Sequence, residues 1–158
     1  MKKYLLTLIL LLFASTSWAT TYYVDSAITD TNVASATPDF TTYNPTTFAT
    51  DTGSSSVYKT IADVNLKAFA AGDSVLFRKG QTWREHLTVP SSGTDGHPNT
   101  FGAYGSGANP IITPSKLMTG WSLYSGNIYS VSYISTAYSV WEDNTYLTKV
   151  ASLDALIS

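Results

Sequence analysis

The sequence predicts an all-β chain built as a solenoid, on three observations: short β-prone runs, glycine-rich turns between them, and a pattern stated about twice between Gly72 and Ser115. Val75, Leu76 and Phe77 form an apolar run that returns as Phe101, Ala103 and Tyr104 about 26 positions later, and Leu87, Thr88 and Val89 return as Pro110, Ile111 and Ile112 after about 24. Two kinds of strand therefore alternate with a shared period. Lys79-Gly80, Ser92-Gly93 and Gly105-Ser106-Gly107 separate them, and glycine supplies backbone angles there that other residues resist. Strand spacing alone also fits an antiparallel sandwich, so that alternative stays open. Parallel stacking of Val75 on Phe101, one coil apart, would separate the two.

Residues 1–19 carry the marks of a signal peptide. Lys2 and Lys3 precede an apolar run from Tyr4 to Ala14, and Ser17-Trp18-Ala19 places small residues at the two positions a signal peptidase reads, so cleavage is expected after Ala19. The run is shorter than the ~20 residues that cross a bilayer, and no later stretch is apolar enough. A secreted chain with no membrane attachment after cleavage is the expectation. It contains no cysteine, so in an oxidising compartment its stability rests on burial rather than disulfides. Nine Lys and Arg against eleven Asp and Glu give a formal net charge of −2, more negative once Lys2 and Lys3 leave with the leader. That balance argues against nucleic acid as a partner.

Residues 20–57 read as an edge strand at Tyr22–Ser26 followed by a long surface loop from Ile28 to Ser56, rich in Thr and Ser, broken by Pro38 and Pro45, and without a sustained period. Asp25, Asp30, Asp39 and Asp51 are of the type that ligates Ca²⁺, but they lack a fixed ligand spacing. They read as solvated loop carboxylates, and no metal site is expected in this chain. Residues 58–71 form a capping helix, with Ile61, Val64, Leu66, Ala68 and Phe69 supplying an apolar stripe over 59–70 and Gly72 ending it. Laid across the first coil, such a helix covers the apolar side chains and unpaired edges that a solenoid end exposes. Residues 72–115 are the first coils, and 116–158 an aromatic-rich β extension.

Tyr22-Tyr23-Val24-Asp25, the run Tyr58 to Val64, the run Gly72 to Gly80, and Phe101-Gly102-Ala103-Tyr104-Gly105 resemble the opening of secreted right-handed parallel β-helix proteins of the pectate-lyase-like superfamily. Gly120-Trp121, Gly126-Asn127-Ile128-Tyr129 and Val140-Trp141-Glu142-Asp143-Asn144 are similar to a hairpin-like region that precedes the main helix in such proteins. Asn144 stands where glycine is usual, although asparagine tolerates the same left-handed conformation. The resemblance covers most of Tyr22 to Ser115 and is more specific for fold than for activity. It implies an amino-terminal cap and early coils. The apolar run from Val150 to Ser158, which stops without a cap, fits a chain cut short of the coils that would carry an active face.

By the same resemblance the partner is a polysaccharide or cell-surface glycan, and the chain a monomer. A lyase of this kind uses Ca²⁺ to stabilise a uronate carboxylate and an Arg or Lys to take a proton, whereas a hydrolase places two carboxyl groups across the glycosidic bond. Neither constellation stands in this sequence, so no catalytic residue is assigned, no cofactor is evident, and Ca²⁺ is expected only in a longer parent enzyme. Glu85 lies between Arg84 and His86 and reads as a strand-face ion pair. Arg78 and Arg84 keep their protons too firmly to act as bases. His86 and His97 fit no triad or metal spacing. Trp83, Arg84, Trp121 and Trp141 are the candidate substrate contacts, although aromatics also serve as core anchors. A non-catalytic adhesin-type solenoid and a carbohydrate-binding β-sandwich are the alternatives.

Overall fold

The computed structural model describes residues 19–148, apart from 33, 135, 136, 138 and 144. Residues 1–18 of the expected signal peptide, Asn144 and the apolar run at 150–158 lie outside the described residues. The chain is mostly β, with one short helix among the described residues, and it divides into two compact units, Met1–Lys116 and Leu117–Ser158. No helix among the described residues is long and apolar enough to cross a membrane.

The first unit contains β1 (Thr21–Val24), β2 (Phe40–Tyr43), β3 (Ser55–Tyr58), α1 (Ile61–Leu66), β4 (Ser74–Arg78), β5 (Thr82–Trp83), β6 (Thr100–Tyr104) and β7 (Ile111–Ile112). Five of these strands form one sheet in the order β2-β3-β1-β4-β6, in which β1 runs parallel to both β3 and β4, and β4 parallel to β6. Val75 and Phe101 are register partners in that ladder, and Tyr22 completes their row, just as Val24, Phe77 and Ala103 form another. Because side chains alternate along a strand, these two rows share one face. Gly102 sits in the row of Tyr23 and Leu76 on the other face, where a Cβ would come within 3.1 Å of the Leu76 side chain.

The face built on Tyr22, Val24, Tyr58, Val75, Phe77 and Phe101 packs against Ile61, Val64, Phe69 and Trp83. Tyr23 points the other way, into a second cluster with Ile28, Tyr43, Val57, Phe40, Phe48 and Tyr104. Burial of each large apolar side chain in these clusters stabilises the unit by roughly 1.5–3 kcal/mol. Phe77 and Trp83 meet edge to face at 5.3 Å between ring centroids, so the turn at Lys79-Gly80 folds β5 back onto the same core as β4. Gly80 adopts φ 79°, which the turn requires and a side chain would resist.

Several expectations from the sequence change. The 28–56 segment is not one long loop, because it contributes β2 and β3 to the sheet, which pair antiparallel. β1 is not an edge strand, since β3 flanks it on one side and β4 on the other. Ile111–Ile112 pairs in parallel with Thr82–Trp83 and not with Leu87–Val89, which forms no strand; the tight Gly80 turn brings the second strand of the coil forward by a few residues. The helix is also shorter than 59–70. Thr60 caps its start by accepting the Asp63 N–H, but Lys67 is already extended, and the N–H groups of Phe69 and Ala70 turn to Ser91 Oγ and Asp73 Oδ2. Ile61, Val64 and Phe69 are buried as the stripe implies, whereas Leu66 and Ala68 face solvent.

The second unit consists of two antiparallel hairpins, β8 (Ser122–Ser125) with β9 (Ile128–Ser130) and β10 (Val140–Glu142) with β11 (Thr145–Leu147). Leu123 opposes Tyr129, and Trp141 opposes Tyr146 with the rings edge to face at 5.3 Å. Their large side chains remain mostly exposed.

Candidate functional site

Two groups of carboxylates in the first unit, and the exposed aromatics of the second, are the features with chemistry to offer. Asp25 follows β1 and is fully buried. Its Oδ1 accepts the Ala27 N–H at 3.0 Å and Gln81 Nε2 at 2.6 Å, while Oδ2 accepts the Tyr43 hydroxyl and Arg78 Nη1, each at 2.8 Å. The Arg78 contact is also an ion pair. Burial by itself would raise the pKa of Asp25, but the hydrogen bonds from Gln81, Ala27, Tyr43 and Arg78 outweigh it and hold the carboxyl below its ordinary range.

The network continues outward. The Tyr43 and Tyr104 hydroxyls meet at 2.6 Å, and the Arg78 guanidinium lies 3.6 Å from the centre of the Phe48 ring. Phe48 holds a left-handed backbone at φ 62°, imposed by the tight loop in which its N–H reaches the Asn44 carbonyl. Burial, then hydrogen bonding to Tyr104 and Asp25, pushes the Tyr43 hydroxyl well above the ordinary tyrosine range. Burial does the same to Tyr104. Asp25 thus has both oxygens engaged by donors and its tyrosine neighbours stay protonated, an arrangement that joins β1, β2, β4 and β6 rather than one poised to move a proton.

Asp30, Asp39 and Asp63 form the second group. They offer three carboxylate oxygens that all lie within 4.8 Å of one another. Asp39 and Asp63 are buried. Asp39 Oδ1 accepts the N–H groups of Thr31 and Asn32, its Oδ2 accepts the Lys59 N–H, and Asp63 Oδ1 accepts the Ser35 N–H. Asp30 Oδ1 is buried with no hydrogen-bond partner among the described residues. The reading of Asp25 and Asp39 as solvated carboxylates is therefore overturned: partners on distant segments make their burial tolerable. Asp51 does face solvent.

The four residues singled out as substrate contacts fare differently. Trp83 is only 3% exposed and donates its indole N–H to the Lys59 carbonyl, so it anchors the core and offers no face to a sugar. Arg84 is exposed and reaches Ser115 Oγ at 3.3 Å. Trp121 and Trp141 are 51% and 61% exposed. Glu85 forms no ion pair with its neighbours; its Oε2 accepts the Ala62 N–H at 2.8 Å and serves the first turn of α1. Arg78 is committed to Asp25. His86 bonds only Thr88 among the described contacts of its ring, and His97 pairs by its backbone with Thr94 in a tight loop.

Sequence reasoning missed both carboxylate groups as groups. The Thr60-x-x-Asp63 spacing is a helix-start pattern and was a usable signal for Asp63. No local signal marks Asp30 or the union of Asp25 with Gln81. No protein-family model matches this chain, and neither a curated protein nor a solved structure matches it.

Proposed function

We propose that the chain belongs to a secreted right-handed parallel β-helix protein, of the pectate-lyase-like kind, that engages extracellular polysaccharide. One observation carries the architectural half of this reading. The unit β4–turn–β5 lies in parallel on β6–turn–β7, and the hydrogen bonding continues through the turn: Lys79 N–H to the Tyr104 carbonyl, Gly80 N–H to that of Ala108, and the N–H groups of Ile111 and Thr113 to the carbonyls of Gln81 and Trp83. Two strands and the bend between them thus repeat as one coil on another, as a solenoid requires and an antiparallel sandwich does not.

Recognition of glycan rests on Trp121, Tyr124, Tyr129, Trp141 and Tyr146, all more than half exposed on the two hairpins. Flat aromatic faces stack on the C–H faces of sugar rings, and a ring left in water loses little by accepting such a cover. Binding without cleavage is the form favoured for this chain, because Asp25, Glu85 and Arg78 are engaged in holding the fold. Calorimetric titration with polygalacturonate and with a neutral xylan tests it. Saturable binding to either polymer, weakened at least tenfold in Trp121→Ala/Trp141→Ala with an unchanged melting temperature, is the expected result. Absence of binding to both polymers, or release of unsaturated uronate product by this chain, refutes it.

A further inference from the structure

We propose that Asp30, Asp39 and Asp63 form a Ca²⁺ site that ties the segment between β1 and β2 to the start of α1. Two oxygens on opposite sides of a Ca²⁺ ion bound at about 2.4 Å lie about 4.8 Å apart. The three carboxylates place their ligand atoms within that span, so a single ion reaches all three with side-chain shifts of at most a few tenths of an ångström. They come from three separate stretches of chain: the loop after β1, the residue preceding β2, and the first turn of α1.

Neutral donors occupy both oxygens of Asp39 and of Asp63, the Asp63 Oδ2 position being taken by the Thr60 hydroxyl, so what the group lacks is a balancing positive charge and a donor for Asp30 Oδ1. Asp39 is 7% exposed and Asp63 is 1% exposed, and among the described residues no Lys, Arg or His forms an ion pair with any of the three. Lys59 is drawn close by its backbone N–H to Asp39, yet its ammonium goes to the Ile28 carbonyl at 2.7 Å. Three like charges, two of them removed from water, repel one another strongly unless a cation joins them. Asp30 is only partly buried, yet its Oδ1 is shielded from solvent and meets no donor among the described residues, which adds an independent sign. A buried acceptor left open in this way is rare, since nearly all such atoms find a partner.

The chemistry of the donors selects the ion. Oxygen ligands alone suit a hard cation and disfavour zinc or copper, which prefer nitrogen or sulfur. Ligands gathered from irregular loops suit the adaptable shell of Ca²⁺ better than Mg²⁺, which demands near-octahedral geometry and keeps several waters. Occupied, the site would pin residues 28–39 against the helix that covers the first coil.

Isothermal titration of the full chain, stripped with EDTA and titrated with CaCl₂, is the direct test. Tb³⁺ luminescence sensitised by Tyr58, which lies beside these carboxylates with its hydroxyl on the Ala36 carbonyl, gives a second readout on the unaltered protein. One saturable Ca²⁺ site is expected, with an affinity no weaker than the ~10⁻³ M limit of extracellular calcium modules. Ca²⁺ should also raise the melting temperature. Asp30→Asn should weaken binding at least about tenfold, the loss of one charged ligand, while the exposed Asp51→Asn stays within about twofold of the parent. No saturable binding of Ca²⁺ or Tb³⁺ to the unaltered chain overturns the proposal, as does an Asp30→Asn affinity matching the parent. Equal displacement by Mg²⁺ overturns the assignment to Ca²⁺.

Discussion

Asp25→Asn should be among the most damaging isosteric substitutions in this chain. The carboxylate takes four donors, two on each oxygen, and one of them is the guanidinium of Arg78, whose side chain is only 25% exposed. An amide keeps one oxygen and turns the other position into a donor, so at least one pair of bonds becomes a donor facing a donor. If the amide nitrogen faces Arg78 and Tyr43, the tyrosine hydroxyl can still turn to Tyr104, but the guanidinium loses its partner in a largely buried setting. Breaking one side of a buried ion pair costs about 3–5 kcal/mol, and partial escape of Arg78 to water brings the expectation to about 3 kcal/mol. For a domain of roughly 100 residues that is a fall in melting temperature of about 12–24 °C. Urea unfolding followed by the fluorescence of buried Trp83, in a Trp18→Phe/Trp121→Phe/Trp141→Phe background, reads the change in midpoint. A loss below about 1 kcal/mol with an unchanged slope would show that the network is solvent-relaxed, and the reasoning would fail.

Two further outcomes follow from the same structure. Asp25 has a folded-state pKa below its ordinary 3.8, so its contribution to stability is present above about pH 4 and is lost as pH falls through the lowered folded value; the stability gap between the parent and Asp25→Asn should therefore narrow between about pH 6 and pH 2, and a constant gap would contradict this. Gly53→Ala should cost more than about 3 kcal/mol or prevent folding, because its Cβ would overlap the Tyr43 carbonyl, whereas Gly80→Ala, with φ 79° and open space around it, should cost only the ~1 kcal/mol of a left-handed backbone. Equal midpoints for the two glycine variants in urea would reject the steric argument.

Much of the coil was legible in the sequence because its information is local. Val75, Leu76 and Phe77 form a compact apolar run, Gly80 marks the bend, and Phe101 repeats the first run in the register later found between β4 and β6. The strands β2 and β3 were not legible, since Phe40-Thr-Thr-Tyr43 and Ser55-Ser-Val-Tyr58 bury only one or two large side chains each within a polar stretch. Composition alone assigns such a stretch to a loop. What recruits it to the sheet is the second core, where Tyr43 and Val57 close over Tyr23 from positions remote in sequence.

The buried carboxylates show the same limit in sharper form. An aspartate in isolation belongs in water, and only its partners reverse that preference. Apart from the Ala27 N–H, those partners lie far along the chain: Tyr43 at 18 positions from Asp25, Arg78 at 53 and Gln81 at 56. No window of sequence short enough to read as a motif contains them. The same holds for Asp30, Asp39 and Asp63, which have no common spacing yet share one small volume because the sheet and α1 bring their segments together. A search by ligand spacing presupposes that one loop supplies the ligands. Here the fold assembles the group, so its acidity can be recognised only after the strands around it have been placed.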